Sequence, residues 1–298
     1  MKKITTYLPS LIISIIIVFL TIAGSALLLV DINISADNLK KLSQKNSLET
    51  SIYPEISKYY KDKYNTTGIP VDVFMDAVDE EYIRSYEEAY IDAAFEALDN
   101  GTAMAAVHPK NAKLEENIDS FFNTFAEENN YEKDDNFGLK LRNTKENAYT
   151  TIGSFCDVYK FSSMNQHGIL SKLARLYSHR IAATLAAIGA VVIMILLLVL
   201  INRKKKITAM YWCGVSALVA GVLGAIPSIY LVATRYYDSF TIKQAPVFTA
   251  FTSLMYKYTE AFTAVCIALV VVGISLAVTY GVVHEKKKYP DVKPTKID

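Results

Sequence analysis

One apolar stretch, Ile181 to Ile201, constrains this chain more than any other feature. Its 21 residues carry no charged side chain. As an α-helix they would extend about 31 Å at about 1.5 Å per residue, enough to cross a hydrocarbon core of about 30 Å. Four basic residues follow directly: Arg203, Lys204, Lys205 and Lys206. Because basic residues beside a span are retained in the cytoplasm, this end of the helix is predicted to face inward.

Three other apolar runs are long enough to cross a membrane: Leu8 to Val30, Ile207 to Val232 and Ala261 to Val283. Basic residues also precede the first run and follow the last one: Lys2, Lys3, Lys286, Lys287 and Lys288. By the same rule, both termini are predicted to be cytoplasmic. The predicted fold is an all-α, polytopic protein of the plasma membrane with four transmembrane helices and one helical extracytoplasmic domain.

These runs divide the chain into four predicted parts. They are an N-terminal transmembrane anchor (1–30), a helical extracytoplasmic domain (31–180), a three-helix transmembrane bundle (181–283) and a short basic cytoplasmic tail (284–298). The first part allows a second interpretation, because a secretory signal peptide could be cleaved near the small residues 23–26. The apolar run continues past that point to Val30, which favours a retained anchor.

Charge is divided between these parts. Residues 31–180 contain 25 acidic and 17 basic side chains, a net charge of −8, whereas the rest of the chain has 5 acidic and 14 basic ones, a net charge of +9. Acidic outer regions and basic inner edges are typical of integral membrane proteins facing anionic lipid. The acidic block has no basic face with interleaved aromatic residues, which argues against nucleic-acid binding. The lipid bilayer is therefore the first predicted partner.

The extracytoplasmic domain is predicted to be helical. Asp79 is a suitable N-cap, and Ile83, Tyr86 and Tyr90 then recur at helical spacing until Gly101 can end the helix. Further helices are predicted over three segments: 52–64, 114–125 and from Thr144 toward the membrane. The connection between the last two spans, 233–260, is rich in aromatic residues and is predicted to lie on the membrane surface.

Small residues recur every fourth position in three of the spans, and such ridges let helix backbones approach closely. Their members are Ala182, Ala186 and Ala190 in the second span, Ala217, Gly221 and Ala225 in the third, and Gly273, Ala277 and Gly281 in the fourth. The ridges could form a docking face for a partner protein. Internal packing of the four helices is the favoured interpretation, because small residues are frequent in spans generally.

The sequence offers little evidence for transport or catalysis. No span contains an ionisable residue inside its apolar stretch, although ion-coupled transporters usually place such groups near the midplane. Cys156 and His167 are predicted to lie on one helix about 16 Å apart, too far for a nucleophile and its base. An outer acidic cluster could hold a divalent cation, but a solvated helix start is the favoured interpretation: Asp72, Asp76, Asp79, Glu80 and Glu81. No catalytic residue, cofactor or metal site is predicted.

The whole layout resembles that of four-span membrane proteins of Gram-positive bacteria. The resemblance is carried by the N-terminal span, the helical outer block with Thr67-Gly68-Ile69-Pro70-Val71 and its acidic helix start, and the three later spans. It implies a location in the cytoplasmic membrane and transfers no activity and no functional residues.

The predicted function is that of a non-enzymatic binding, sensor or accessory subunit, because a large outer domain is set against almost no cytoplasmic mass. A protein partner in the membrane or outside the cell is therefore expected. The sequence leaves two alternatives open. One is a small transporter or channel subunit, and the other is an enzyme acting at the membrane surface with acids such as Asp72 or Glu80.

Overall fold

The computed structural model describes residues 6–288, and these form twelve α-helices and no β-strand. In chain order the helices are α1 (Tyr7–Asn33), α2 (Ala36–Lys45), α3 (Leu48–Thr67), α4 (Val71–Met75), α5 (Glu80–Asn100), α6 (Ala112–Glu128), α7 (Asp135–Cys156), α8 (Phe161–Gln166), α9 (Ile169–Tyr177), α10 (Arg180–Ile201), α11 (Lys206–Ala233) and α12 (Ala245–Lys288). The all-α prediction is confirmed over the described residues.

The chain divides into two compact units. The membrane unit comprises the described residues up to Ile34, His179–Phe240 and those from Met255 onward. The helical unit comprises Ser35–Ser178 and Thr241–Leu254. Each unit has its own packing and is described separately.

Four helices are long and apolar enough to cross a membrane, as the sequence predicted: Tyr7–Asn33, Arg180–Ile201, Arg203–Ala233 and Ala245–Glu285. In α10 only 11% of the most apolar window is buried inside the protein. Large side chains such as Leu185, Ile193 and Leu200 are exposed instead. A helix that is apolar on every side and not covered by protein is suited to a lipid environment.

Buried polar contacts join the helices of the membrane unit at the end that carries Arg203–Lys205. The side-chain amide of Asn202 donates to the Ser10 hydroxyl at 2.9 Å and links α10 to α1. The Ser216 hydroxyl donates to the Ser14 carbonyl oxygen at 3.2 Å and links α11 to α1. Such bonds select which helix faces meet, because apolar surface alone does not drive helices together in lipid.

At the opposite end of α1, Asp31 holds the start of α10. One carboxylate oxygen lies 3.3 Å from Arg180 Nε, and the other accepts a hydrogen bond of 2.9 Å from Thr184. The Tyr258 hydroxyl of α12 donates to the Ala26 carbonyl oxygen at 2.9 Å. Helix α1 is therefore hydrogen-bonded to each of the other three spanning helices.

Aromatic side chains collect at both ends of the membrane unit. Tyr7 packs edge-on against Trp212 with ring centroids 5.4 Å apart, and Tyr237 packs in the same way against Tyr256 at 5.1 Å. On α11, Trp212 and Tyr230 mark the two ends, and their spacing along the helix is about 27 Å at about 1.5 Å per residue. Two aromatic belts at this separation are typical of the two interfaces of a bilayer.

Helix α5 forms the centre of the helical unit. Its side chains Ile83, Tyr86 and Ile91 are fully buried. The Asp79 carboxylate accepts from the Tyr82 N–H at 2.7 Å, so the predicted N-cap is confirmed. Gly101 ends the helix in the left-handed region at φ +67°, a conformation that glycine adopts without strain.

Two predictions about helix boundaries are wrong. Helix α7 ends at Cys156, because the chain turns at Asp157 before α8 begins, so Cys156 and His167 do not share a helix. The predicted surface connection 233–260 is shorter, because α12 already begins at Ala245. Some of the aromatic residues that predicted an interfacial segment therefore lie on this helix.

Candidate ligand cleft of the helical unit

A cleft of about 370 Å³ opens in the helical unit, at the lower end of the usual range of small-molecule sites of about 300–1,000 Å³. It is lined by Tyr90 of α5, the connecting residues Met104, Ala105, Ala106, Val107 and His108, Thr150 and Ser154 of α7, and Ser162, Asn165 and Gln166 of α8. The lining contains no Asp, Glu, Lys or Arg. Its polar groups are hydroxyl, amide and peptide groups and the imidazole of His108.

One wall of the cleft belongs to the connection between α5 and α6. Met104 and Val107 are 8% exposed and anchor this connection, whereas Ala105, Ala106 and His108 are exposed. The proline at 109 keeps His108 out of the helical region of conformational space. The connection thus stays non-helical while packing firmly on the core.

Tyrosine hydroxyls are hydrogen-bonded to one edge of this connection. The Tyr86 hydroxyl lies 3.3 Å from the Val107 carbonyl oxygen, and the Tyr82 hydroxyl donates to that of Pro109 at 3.0 Å. The Tyr149 hydroxyl accepts from the Asn111 N–H at 3.0 Å. All three contacts fall on odd-numbered residues.

An amide side chain pairs with the opposite edge. Asn165 of α8 accepts from the Met104 N–H at 3.2 Å and donates to the Met104 carbonyl oxygen at 3.4 Å. Binding both groups of one residue is what a neighbouring β-strand does in a ladder. This contact falls on an even-numbered residue, so the two edges alternate with the period of two that defines extended backbone.

We call residues 104–111 the extended segment. Beyond Met104, its even edge continues through Ala106 and His108. Neither the N–H nor the carbonyl oxygen of these two residues is hydrogen-bonded to any part of the chain between residues 6 and 288. The cleft lies on the side of the even edge, because Asn165 lines the cleft and Tyr82, Tyr86 and Tyr149 do not.

Tyr90 contributes a further polar group to the cleft. Its side chain is 9% exposed, and within the described part of the chain its hydroxyl makes no hydrogen bond. The hydroxyl oxygen lies 2.7 Å from the position that a Cβ at Gly153 would take, on α7 between the lining residues Thr150 and Ser154. Burial raises the pKa of Tyr90 to about 12, so the phenol is neutral and can donate.

Helix α8, which carries Asn165, is fixed by Asp157. This carboxylate is 2% exposed and accepts from the N–H groups of Phe161 and Ser162 at 2.8 and 2.9 Å, and also from the Ser162 hydroxyl. A buried carboxylate is stable when its oxygens are hydrogen-bonded in this way. The position of the Asn165 amide therefore follows from a rigid helix start.

A second cleft, of about 430 Å³, lies between α3 and α7. Its floor includes Tyr60 and Phe74, whose rings are stacked with centroids 4.0 Å apart, and Lys63 lies over the Tyr59 ring at 5.7 Å. The two clefts share Thr150 of α7.

A buried acidic group lies between α2 and α5. Glu87 is 2% exposed and accepts a hydrogen bond from the Ser43 hydroxyl. Burial is the main cause that raises its pKa to about 7. Nearby, Glu49 is paired with Arg84 at 2.6 Å.

The small-residue ridges predicted from the sequence have different environments. A Cβ at Gly221 would come 2.6 Å from the Cys266 carbonyl oxygen, and one at Gly273 would come 2.5 Å from the Leu218 nitrogen, so α11 and α12 touch at both glycines. Ala225 is buried, and Ala190, Ala217 and Ala277 are half-buried.

Other ridge members do not take part in these contacts. Ala182 and Ala186 are exposed on α10, and a Cβ at Gly281 would meet nothing within 4 Å. The side of α10 that packs on α1 carries Ala187 instead, whose Cβ lies 3.4 Å from the Cβ position at Gly24.

The basic residues predicted to set topology are placed only in part. Arg203, Lys204, Lys205 and Lys206 are exposed at the turn between α10 and α11. Lys2 and Lys3, and the side chains of Lys286, Lys287 and Lys288, lie outside what the structure describes.

The acidic and sulfur groups do not converge. Over residues 6–288, no three His, Cys, Asp or Glu side chains lie close enough to hold a metal ion. Asp79 serves as the cap of α5, and Asp72 and Asp76 line a shallow surface beside α6. Cys156 is fully buried, and burial raises the pKa of its thiol well above the usual value, so it is not poised as a nucleophile.

Comparison of the chain with protein-family models, curated proteins and solved structures finds no match. The cleft is therefore interpreted from its own residues. The sequence did not reveal it, because its edge is formed by peptide groups and its partners come from α5, α7 and α8. The only sequence signal was a non-helical stretch before Pro109 with apolar residues three apart, at Met104 and Val107.

Proposed function

We propose that this protein is a non-enzymatic binding subunit of the plasma membrane. In this proposal the helical unit lies outside the cell and captures a protein or ligand, and the membrane unit anchors it and docks it to a membrane complex. The single observation that carries the proposal is the cleft beside the extended segment, where unpaired peptide groups and the Tyr90 hydroxyl line one concave surface.

The charge pattern supports this orientation. Exposed Arg203–Lys206 form a basic turn between two spanning helices, and such turns are retained on the cytoplasmic side. With four spans, residues 35–178 then lie outside, and both termini lie inside. The cleft lining contains no carboxylate, lysine or arginine, and His108 is its only imidazole, so the lining provides no pair of acid and base side chains.

The test compares the intact protein with a variant in which a short Gly-Ser linker replaces residues 35–178. The design keeps Asp31, Arg180 and Thr184, whose contacts hold the ends of α1 and α10 close together, so a short linker can bridge them. Both proteins are purified from the native membrane in mild detergent. We expect a stoichiometric partner with the intact protein and none with the variant.

Size-exclusion chromatography serves as the control for assembly of the membrane unit, which should elute as a single species in both preparations. A partner that stays bound to the variant would contradict the proposal, because binding would then belong to the spanning helices. The absence of any partner or ligand with the intact protein would contradict it as well.

A further inference from the structure

We infer that the cleft of the helical unit binds an extended peptide, which adds as a β-strand to the open even edge of the extended segment. This inference rests on the proposed function and specifies its ligand chemistry. It assigns recognition to Ala106 and His108 through their main-chain groups.

The pairing on the two edges supports this geometry. Tyr86, Tyr82 and Tyr149 occupy the edge of residues 107, 109 and 111, and Asn165 occupies the first position of the other edge at Met104. The Asn165 amide therefore occupies the place of a strand neighbour at one residue only. At Ala106 and His108 the same edge offers two N–H donors and two carbonyl acceptors in the register that a strand requires.

An anion is a poor fit for these N–H groups. Nests that bind phosphate or sulfate need successive N–H groups to converge, which requires a left-handed residue. Within the described residues, the non-glycine positions with positive φ are Ser47, Asn130, Lys160 and Arg235, and none lies in the extended segment. The N–H groups of Ala106 and His108 therefore point outward side by side and match peptide carbonyl oxygens.

The rest of the cleft suits a neutral main chain. The exposed side chains at 105 and 106 are methyl groups, so a second strand can approach to the usual spacing of about 4.8 Å. Tyr90, a residue that is 9% exposed, provides an unpaired hydroxyl, and Thr150 and Gln166 add uncharged polar groups. Main-chain pairing supplies affinity in this mode of recognition, and such side-chain groups supply selectivity.

The test uses full-length protein in lipid nanodiscs and a random heptapeptide library as the probe. The best selected peptide is labelled with fluorescein and titrated by fluorescence anisotropy. Ala106→Pro removes the N–H of the open edge, and Ala105→Pro removes one from the other edge. Both positions are exposed alanines, and extended backbone accepts the φ of proline. We expect A106P to weaken binding at least 10-fold and A105P to change it less than 2-fold.

A second measurement leaves the protein unchanged. Two versions of the peptide are N-methylated on alternate amides, one on the odd set and one on the even set. Strand pairing uses only one set, so one version should bind like the parent and the other at least 10-fold more weakly. This comparison tests strand pairing even if A106P alters the circular dichroism or the thermal midpoint of the protein.

Three results would overturn the inference: no peptide is selected, A105P and A106P weaken binding equally, or both methylated peptides bind like the parent. The proposed function is judged separately. A partner that is lost with residues 35–178 but retained by A106P leaves the binding function intact and rejects the strand edge.

Discussion

At the scale of single residues, Glu87 carries a carboxyl group that is buried in the helical unit. It belongs to the buried stripe of α5 between Ile83 and Ile91, four residues from each, yet it ends in a carboxyl group. Burial raises its pKa first of all, and the nearby Glu49 and Glu88 add to the effect. The Ser43 hydroxyl and Arg84 act in the opposite direction and only partly offset it.

The pKa of Glu87 rises from an ordinary value of 4.5 to about 7 in the folded protein. The folded chain therefore binds more protons than the unfolded chain between those values, and its stability falls as the pH rises through this interval. A shift of this size corresponds to about 3 kcal/mol. We expect Glu87→Gln to remove this loss, so that the variant is more stable than the native protein above pH 7.

Hydrogen–deuterium exchange of the full-length protein checks this expectation. Amides of α2 and α5 are compared in the native protein and E87Q at pH 5.5 and pH 8, each pair at one pH so that intrinsic exchange rates cancel. Ser43 and Gln44 hold α2 against α5, which makes α2 the sensitive reporter. Equal protection in the two proteins at pH 8 would contradict a buried carboxyl that titrates near neutrality.

The burial of Glu87 is predictable from the sequence only in part. A spacing of four from Ile83 places Glu87 on the apolar stripe of α5, but a glutamate on a helix is usually solvated. Its burial depends on α2, a ten-residue helix whose apolar residues are too few to predict a docking face. The opposite holds for Asp79, whose N-cap role depends only on the next three residues and was predicted correctly.

At the scale of helices, the membrane unit depends on close contacts between α11 and α12. Gly214, Gly221 and Gly224 on α11 face Gly273, Cys266 and their neighbours on α12, and a Cβ at any of the three would come closer than 3.0 Å to the opposite helix. Backbones approach so closely only where side chains are absent. A spacing of four predicted the members Gly221 and Gly273 but not Gly214 and Gly224, which lie on the same contact.

Gly273→Ala tests this contact, with Gly281→Ala as its matched control on the same helix. The new Cβ at 273 would lie 2.5 Å from the Leu218 nitrogen, which is backbone and cannot rotate away, whereas the Cβ at 281 would meet nothing within 4 Å. Forced separation of packed elements typically costs about 1–3 kcal/mol. We expect a lower thermal midpoint in detergent for G273A and an unchanged one for G281A.

The measurement follows the unfolding of each purified protein by intrinsic fluorescence of Trp212, which packs in the membrane unit beside Ile17 and Leu198. If G273A and G281A unfold at the same temperature as the native protein, α11 and α12 do not depend on this contact. A large loss in both variants would instead indicate that any added methyl group disturbs α12.

At the scale of the whole molecule, sequence reasoning predicted the spans better than the site. Each span is a property of about 20 consecutive residues, and hydrophobicity alone is sufficient to recognise it. The extended segment has no such local signature, because its covered edge is held by hydroxyl groups of Tyr82, Tyr86 and Tyr149 on two other helices, which leaves the opposite edge open. The end of α5 was predictable from Gly101 alone. The turn after Cys156, in contrast, depends on Asp157, whose carboxylate accepts from N–H groups at the start of α8.

Topology is the property on which every functional proposal for this protein depends, and two matched substitutions test it. Lys58→Cys places a thiol on an exposed position of α3, and Lys204→Cys places one on the exposed turn before α11. We expect a membrane-impermeant maleimide to label K58C in intact cells and K204C only after permeabilisation, because basic turns are retained inside. The unsubstituted protein is the control for its own cysteines, of which Cys156 and Cys266 are buried. Labelling of K204C from outside would mean that the topology is inverted and that the helical unit lies in the cytoplasm. Any peptide bound at the open edge would then have to come from a cytoplasmic protein.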